Sequence, residues 1–196
     1  MKSVKNAVFV KSIADADAYE SFGMPEILLV GRSNVGKSSL INMLSNNSKL
    51  AKVSSSQGKT KLINFFMFNK DFMLVDIPGY GYAATSKVEQ LKWSKMIDSY
   101  IEKSQGLTAA ILLVDIRHIP TAQDVQMLEY LTFHNIPVTI VATKIDKIKM
   151  SERLKKLNDI AMTLKVGREN IYQVSSETVF GKENIIDRIY QFVDGE

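Results

Sequence analysis

Short apolar runs alternate along this chain with longer stretches in which apolar residues recur every three or four positions. The runs suit strands buried on both faces and the stretches suit amphipathic helices, so the pattern predicts an α/β fold of three layers, helices covering both faces of a sheet. Six strands are expected, at 27–30, 62–68, 72–76, 109–114, 138–142 and 171–174, mostly parallel. Only Asn69, Lys70 and Asp71 separate the second from the third, a connection short enough for a hairpin, so one strand runs antiparallel. Helices are expected at about 38–45, 88–101 and 184–193, from Thr121 onward, and along the stripe Leu154, Leu157, Ala161 and Leu164. In 88–101 the apolar face is Trp93, Met96, Ile97, Tyr100 and Ile101; in 184–193 it is Ile185, Ile189, Phe192 and Val193. Ser86 with Glu89 has capping-box spacing, and Thr121 with Asp124 after Pro120 marks another start. The stretch 48–59, rich in Ser and Lys, lacks either period and reads as a mobile loop. With no repeat, low-complexity tract or linker, residues 1–196 read as a single domain.

Composition narrows the function classes. There is no cysteine, which excludes disulfides, thiolate metal sites and cysteine nucleophiles. No run approaches the roughly 18 apolar residues of a membrane span. Lys2, Lys5 and Lys11 surround a short alternating stretch at 6–10, but Asp15, Asp17 and Glu20 follow where an export signal needs an apolar block. A cytoplasmic location without membrane contact is therefore the expectation. The net charge of +4 favours an anionic partner such as RNA, without requiring one.

The chemistry concentrates at 31–38, which reads Gly31, Arg32, Ser33, Asn34, Val35, Gly36, Lys37, Ser38 and lies between an apolar strand and a helix. In that context the pattern is a phosphate-binding loop: its glycines let backbone amides converge on phosphate oxygens, Lys37 reaches the outer phosphates and the Ser38 hydroxyl ligates Mg2+. A second motif, Asp76, Ile77, Pro78 and Gly79, ends a strand. Its carboxylate can hold the metal through water and its Gly79 amide can meet the terminal phosphate. Between them, Gly58, Lys59 and Thr60, followed by Lys61 and Leu62, close the polar loop. Thr60 is the natural second hydroxyl ligand of Mg2+, and a loop ordered only by the terminal phosphate would act as a switch.

The base is read by Thr143, Lys144, Ile145 and Asp146. A carboxylate at 146 accepts from both the ring N–H and the amino group of guanine, whereas adenine turns a lone pair toward it. Ser175, Ser176 and Glu177, after the last strand, would add backbone amides near the guanine carbonyl. GTP and GDP are thus the expected ligands. Many GTPases place glutamine directly after Asp-x-x-Gly to orient the attacking water; here the residue is Tyr80, so intrinsic turnover should be slow. Asn34 could compensate by helping to hold K+ beside the leaving phosphates. The expected catalytic set is then Lys37, Thr60, Gly79 and Asn34.

These residues together resemble the EngB (YihA/YsxC) family of bacterial GTPases, within the TrmE-Era-like group. The resemblance spans nearly the whole chain and is carried by 31–39, by 76–83 and most diagnostically by 115–127. It implies a six-stranded GTPase fold, a role in assembling the large (50S) ribosomal subunit, and effects on cell division and septation. A GTP-regulated scaffold acting directly in division is the alternative reading, and a monomer is expected. Gln57 departs from the family, which usually has proline there. Lys49, Lys52, Lys59 and Lys61 flank the switch loop and could meet ribosomal RNA when GTP orders it.

Overall fold

The computed structural model describes residues 2–52, 62–81 and 87–195. Seven strands form one sheet: β1 (Ala7–Ile13), β2 (Glu26–Gly31), β3 (Ile63–Phe68), β4 (Phe72–Asp76), β5 (Leu107–Asp115), β6 (Val138–Thr143) and β7 (Ile171–Gln173). Their order is β1-β3-β4-β2-β5-β6-β7. β2 pairs in parallel with β4 and β5, β5 with β6, and β6 with β7, while β3 is antiparallel to both β1 and β4. The expected six strands and their one antiparallel member are all present. β1 is the addition, an edge strand bulged between Phe9 and Lys11 and exposed at Val8, Phe9 and Val10.

Five helices complete the fold: α1 (Lys37–Ser45), α2 (Lys87–Lys103), α3 (Ala122–Phe133), α4 (Met150–Leu164) and α5 (Lys182–Asp194). Alternation along β2 assigns the layers. Leu28 and Val30 pack with Tyr100, Leu131 and Ile160 of α2, α3 and α4. Ile27 and Leu29 pack with Leu40, Ile41 and Ile189 of α1 and α5. Every residue of β2 is buried, as a central parallel strand demands. The hairpin closes with Asn69 and Lys70 both in the left-handed region and the Asp71 N–H donating to the Phe68 carbonyl at 2.8 Å.

Two expectations need correction. The α4 stripe is Leu157, Ile160 and Leu164, whereas Leu154 is 57% exposed, because the helix turns a narrower face to the sheet than the count of apolar residues suggested. Phe192 and Val193 of α5 are only partly buried, and Ile186 and Tyr190 fill the core beside Ile185 and Ile189. Ser86 of the α2 capping pattern lies outside the described residues. The Thr121 start is confirmed, with Asp124 Oδ2 accepting from the Thr121 N–H at 2.7 Å. None of the described helices is long and apolar enough to cross a membrane.

Candidate functional site

The parallel strands β2, β4, β5, β6 and β7 end at Gly31, Asp76, Asp115, Thr143 and Gln173, so the motifs that follow them meet along one edge of the sheet. Between β2 and α1 the chain curls through Asn34 (φ 63°) and Gly36 (φ 114°), both left-handed, the backbone form that makes an anion-binding concavity. The helix that follows leaves its first amides unpaired within itself, adding partial positive charge at the same place. Gly31 admits no side chain: an added Cβ would lie 2.9 Å from the Leu113 carbonyl oxygen and from Val35 Cγ1.

Lys37 opens α1 and Asp76 ends β4, next to β2. Burial pushes the Lys37 amine down and the Asp76 carboxyl up; their mutual attraction opposes both shifts, and a hydrogen bond from Asn64 further opposes that of Asp76. Asp76 Oδ1 is buried and has no hydrogen-bond partner among the described residues. An orphaned carboxylate oxygen at a phosphate loop, with the Ser38 hydroxyl one residue beyond Lys37, is a hard-oxygen donor set that fits Mg2+. Among the described residues no group of three His, Cys, Asp or Glu gathers to hold a metal. Mg2+ here would accordingly lean on hydroxyl, water and phosphate oxygens around one carboxylate.

Residues 77–81 lie across the phosphate loop. The Ser33 N–H donates to the Tyr80 carbonyl (2.9 Å), the Tyr80 N–H to the Gly31 carbonyl (3.3 Å), and the Ser33 hydroxyl to the Gly79 carbonyl (3.2 Å). Gly79 is so close that an added Cβ would sit 2.7 Å from Ser33 N and 2.8 Å from Ser33 Cα. Tyr80, in the place of the water-orienting glutamine, turns away from that loop and gives its hydroxyl to Asp124 Oδ1 at 2.8 Å. Trp93 packs edge-on against the Tyr80 ring and donates from Nε1 to the Pro78 carbonyl at 2.7 Å.

The motif from Thr143 to Asp146 is bound into the phosphate loop. Thr143 Oγ1 lies 2.7 Å from the Val35 carbonyl and 3.2 Å from that of Val114. Lys144, left-handed at φ 61°, reaches back to the Asn34 carbonyl (2.7 Å) and to Asp115 (2.9 Å), which lays its aliphatic stem along the cleft. Ile145 is buried beneath them. Asp146 accepts from the Ser175 hydroxyl at 2.7 Å and pairs with Lys147 at 3.0 Å. Burial pushes its carboxyl up, but these hydrogen bonds outweigh that and hold it below the usual range, so the acceptor stays ionised. Ser175 departs from its expected role. Its amide is used by the Phe180 carbonyl (3.1 Å), and its side chain is what orients Asp146. Ser176 is half-buried and Glu177 exposed in the turn that follows.

Gly58, Lys59, Thr60 and Lys61 lie outside the described residues; Leu62 stands half-buried at the start of β3. The other end of that loop is stapled by Asn42, whose side chain donates to the Ser48 and Ala51 carbonyls and accepts from the Ala51 N–H. Lys49 and Lys52 are exposed beside it. Three site residues escaped the motifs. Asp115 receives a two-pronged contact from Arg117 (2.9 and 2.7 Å) besides that of Lys144. Asp124 and Trp93 read in sequence only as a helix cap and a core residue. Within the diagnostic segment, Asp115 and Asp124 were the available signal; His118 is exposed.

A sequence model described as "50S ribosome-binding GTPase" matches residues 26–144. A "Probable GTP-binding protein EngB" of Pelotomaculum thermopropionicum is 45% identical over 191 residues, 97% of this chain and 96% of that protein. Its namesake in Clostridium acetobutylicum is 46% identical over 187 residues, 95% of this chain and 94% of its own. A crystal structure of a probable GTP-binding protein engB superposes with a TM-score of 0.72 at 23% identity, covering 87% of this chain and all of that one. Aquifex aeolicus Era bound to GDP and aluminium fluoride gives 0.67 at 20% identity over 86% of this chain and 56% of its own, a likeness of fold alone. With the phosphate loop, Asp76 and Asp146 gathered on one sheet edge, and relatives matched nearly end to end, the chain belongs to the EngB family of GTP-binding proteins and is a GTPase.

Proposed function

We propose that residues 1–196 form a single GTP-binding domain, monomeric and cytoplasmic, whose nucleotide state times a step in assembly of the large ribosomal subunit. The ribosomal part is supported by the family description, which names 50S binding, and by the exposed Lys49 and Lys52 beside the switch loop. The nucleotide part rests chiefly on one observation: among the described residues Asp76 Oδ1 is left buried and unpaired beside Lys37, a state costly unless a cation completes it.

In this reading the amides of 31–38 and the Lys37 ammonium hold the phosphates, Asp146 selects guanine, and Gly79 presents its amide to the terminal phosphate. Ser38, Thr60 and, through water, Asp76 would hold Mg2+, which supplies charge neutralisation on the phosphates when bound. Gly58 to Leu62 complete the nucleotide contacts of this reading, Gly58 to Lys61 lying outside the described residues. Tyr80 points to Asp124, so no side chain at that position orients the attacking water and intrinsic hydrolysis is slow. Asn34, left-handed and exposed at the rim, supports K+ there; equal rates in Na+ and K+, or an unaltered rate in Asn34→Ala, would remove that role.

Cosedimentation with large ribosomal subunits tests the whole reading. Association should be strong with a non-hydrolysable GTP analogue, weak with GDP, and fall steeply with salt. Equal association in both states overturns the switch, and none in either favours the division scaffold.

A further inference from the structure

Tyr80 is 7% exposed and Asp124 3% exposed, and their hydrogen bond ties the residue after Gly79 to the first turn of α3. Asp124 does two jobs with one carboxylate. Oδ1 accepts from Tyr80, while Oδ2 accepts from the Thr121 N–H (2.7 Å) and the Thr121 hydroxyl (2.8 Å). The same short segment is pinned to α2 by Trp93 at Pro78 and to the phosphate loop by Ser33 at Tyr80. It leaves through Gly81 (φ 76°), wedged so that an added Cβ would meet Gln123 Oε1 of α3 at 2.7 Å and Arg32 Nε of the phosphate loop at 2.9 Å. Arg32 Nε is itself buried without a hydrogen-bond partner among the described residues. Gly79 therefore sits at the centre of a three-point clamp whose far side opens onto a cavity of about 350 Å3 between α2 and α3, lined by Tyr80, Trp93, Gln123, Met127 and Tyr130.

We infer that Tyr80 and Asp124 are positioning residues: their hydrogen bond sets where the Gly79 amide stands over the phosphate loop and carries nucleotide state from Gly79 to the α3 N-terminus and residues 115–121. The inference rests on the GTP reading above. A ligand shifts such an element only through contacts that differ between its states, and the Gly79 amide contact is available to GTP and absent with GDP. Releasing the hydroxyl from Asp124 uncouples that contact from α3, so preference for GTP over GDP should fall while GDP, which does not use Gly79, binds as before.

Trp93, the one tryptophan of the chain, touches both Pro78 and Tyr80 and reports the clamp directly by its fluorescence. The experiment compares wild type, Tyr80→Phe, Asp124→Asn and the double variant in titrations with GDP and a non-hydrolysable GTP analogue. Thr121→Ala serves as the control that weakens the α3 cap and spares the Tyr80 contact. Expected are a loss of about tenfold in analogue affinity for Tyr80→Phe with GDP affinity held within about twofold, an equal loss in the double variant, and a shrunken Trp93 difference between the two nucleotides. Thr121→Ala should keep the wild-type nucleotide ratio. Additive losses in the double variant, or a Tyr80→Phe protein with the wild-type ratio and Trp93 response, overturn the inference. A wild type that binds neither guanine nucleotide overturns the GTP reading beneath it, a result separable from the first because it appears before any substitution.

Discussion

Thr143 shows how much one hydroxyl can decide. It is 4% exposed and spends its O–H on the Val35 carbonyl of the phosphate loop. An asparagine could make that tie and still offer a group to the base; threonine makes only the tie. Its contribution should therefore be indifferent to the third phosphate. Thr143→Val keeps the shape but leaves the Val35 carbonyl unpaired, which costs about 1 kcal/mol. GTP and GDP affinities should drop together by roughly fivefold, within the range of one lost hydrogen bond. Titration with labelled forms of both nucleotides checks this, and a loss confined to GTP would show that Thr143 acts on the switch and not on the loop's shape.

At the scale of elements, the end of the sheet opposite the nucleotide is organised by a buried carboxylate. Glu26, fully buried at the start of β2, accepts from Tyr19 (2.6 Å), Tyr100 (2.5 Å) and Ser104 (2.9 Å). Those donors come from the segment after β1 and from the C-terminal end of α2, so one side chain joins three parts of the chain. Desolvation, the Glu26 hydrogen bond and its charge push the Tyr19 and Tyr100 hydroxyls up, keeping them protonated donors. Glu26→Ala should lower the unfolding free energy by about 3 kcal/mol, three hydroxyls losing their acceptor, and Glu26→Gln by about 1. Denaturant titration measures both, and nucleotide affinity should stay put because the site lies at the other sheet edge. Glu26 also marks the boundary of what sequence periodicity can show. Strands β2 to β7 and all five helices were legible because each buries a periodic face, and the phosphate loop, Asp76 and Asp146 because local spacing defines them. β1 was not, since an edge strand with Val8, Phe9 and Val10 exposed across a bulge carries no clean alternation. Nor were the Tyr80–Asp124 and Ser175–Asp146 contacts, whose partners are 44 and 29 residues apart and meet only after the sheet forms.

For the whole molecule, the ionisable groups that link its elements set a pH window for stability. Asp115 is pushed up by burial, but hydrogen bonds from Arg117 and Lys144 overcome this and hold it well below the usual carboxylate range; Asp146 is lowered similarly. For a carboxylate depressed in the fold, the stabilisation is complete above the unfolded value near 3.9 and is lost as pH falls through the folded one. Tyrosines set the other limit. Burial and the Asp71 hydrogen bond push Tyr190 up to about 12, and Tyr80 and Tyr130 are raised further by burial and by Asp124 and Asp98. A phenol raised in the fold stabilises fully below the unfolded value near 10 and ceases to as pH climbs through the folded one. Setting aside the buried Lys37 and Asp76, whose shifts run the other way, these groups should give nucleotide-free protein a plateau from about pH 5 to about pH 9 and a loss on both sides. The acid limb can be assigned. Asp115→Asn keeps the side chain's size and removes its charge, so it should be less stable than wild type at neutral pH, by a margin that solvent screening keeps modest. That margin should shrink as the wild-type carboxylate is protonated, the two curves approaching one another toward about pH 2. Chemical unfolding of both proteins at intervals of pH makes the comparison, and a margin that stayed constant from neutral to acid would mean that the charge on Asp115 contributes nothing to the link between β5, Lys144 and the phosphate loop.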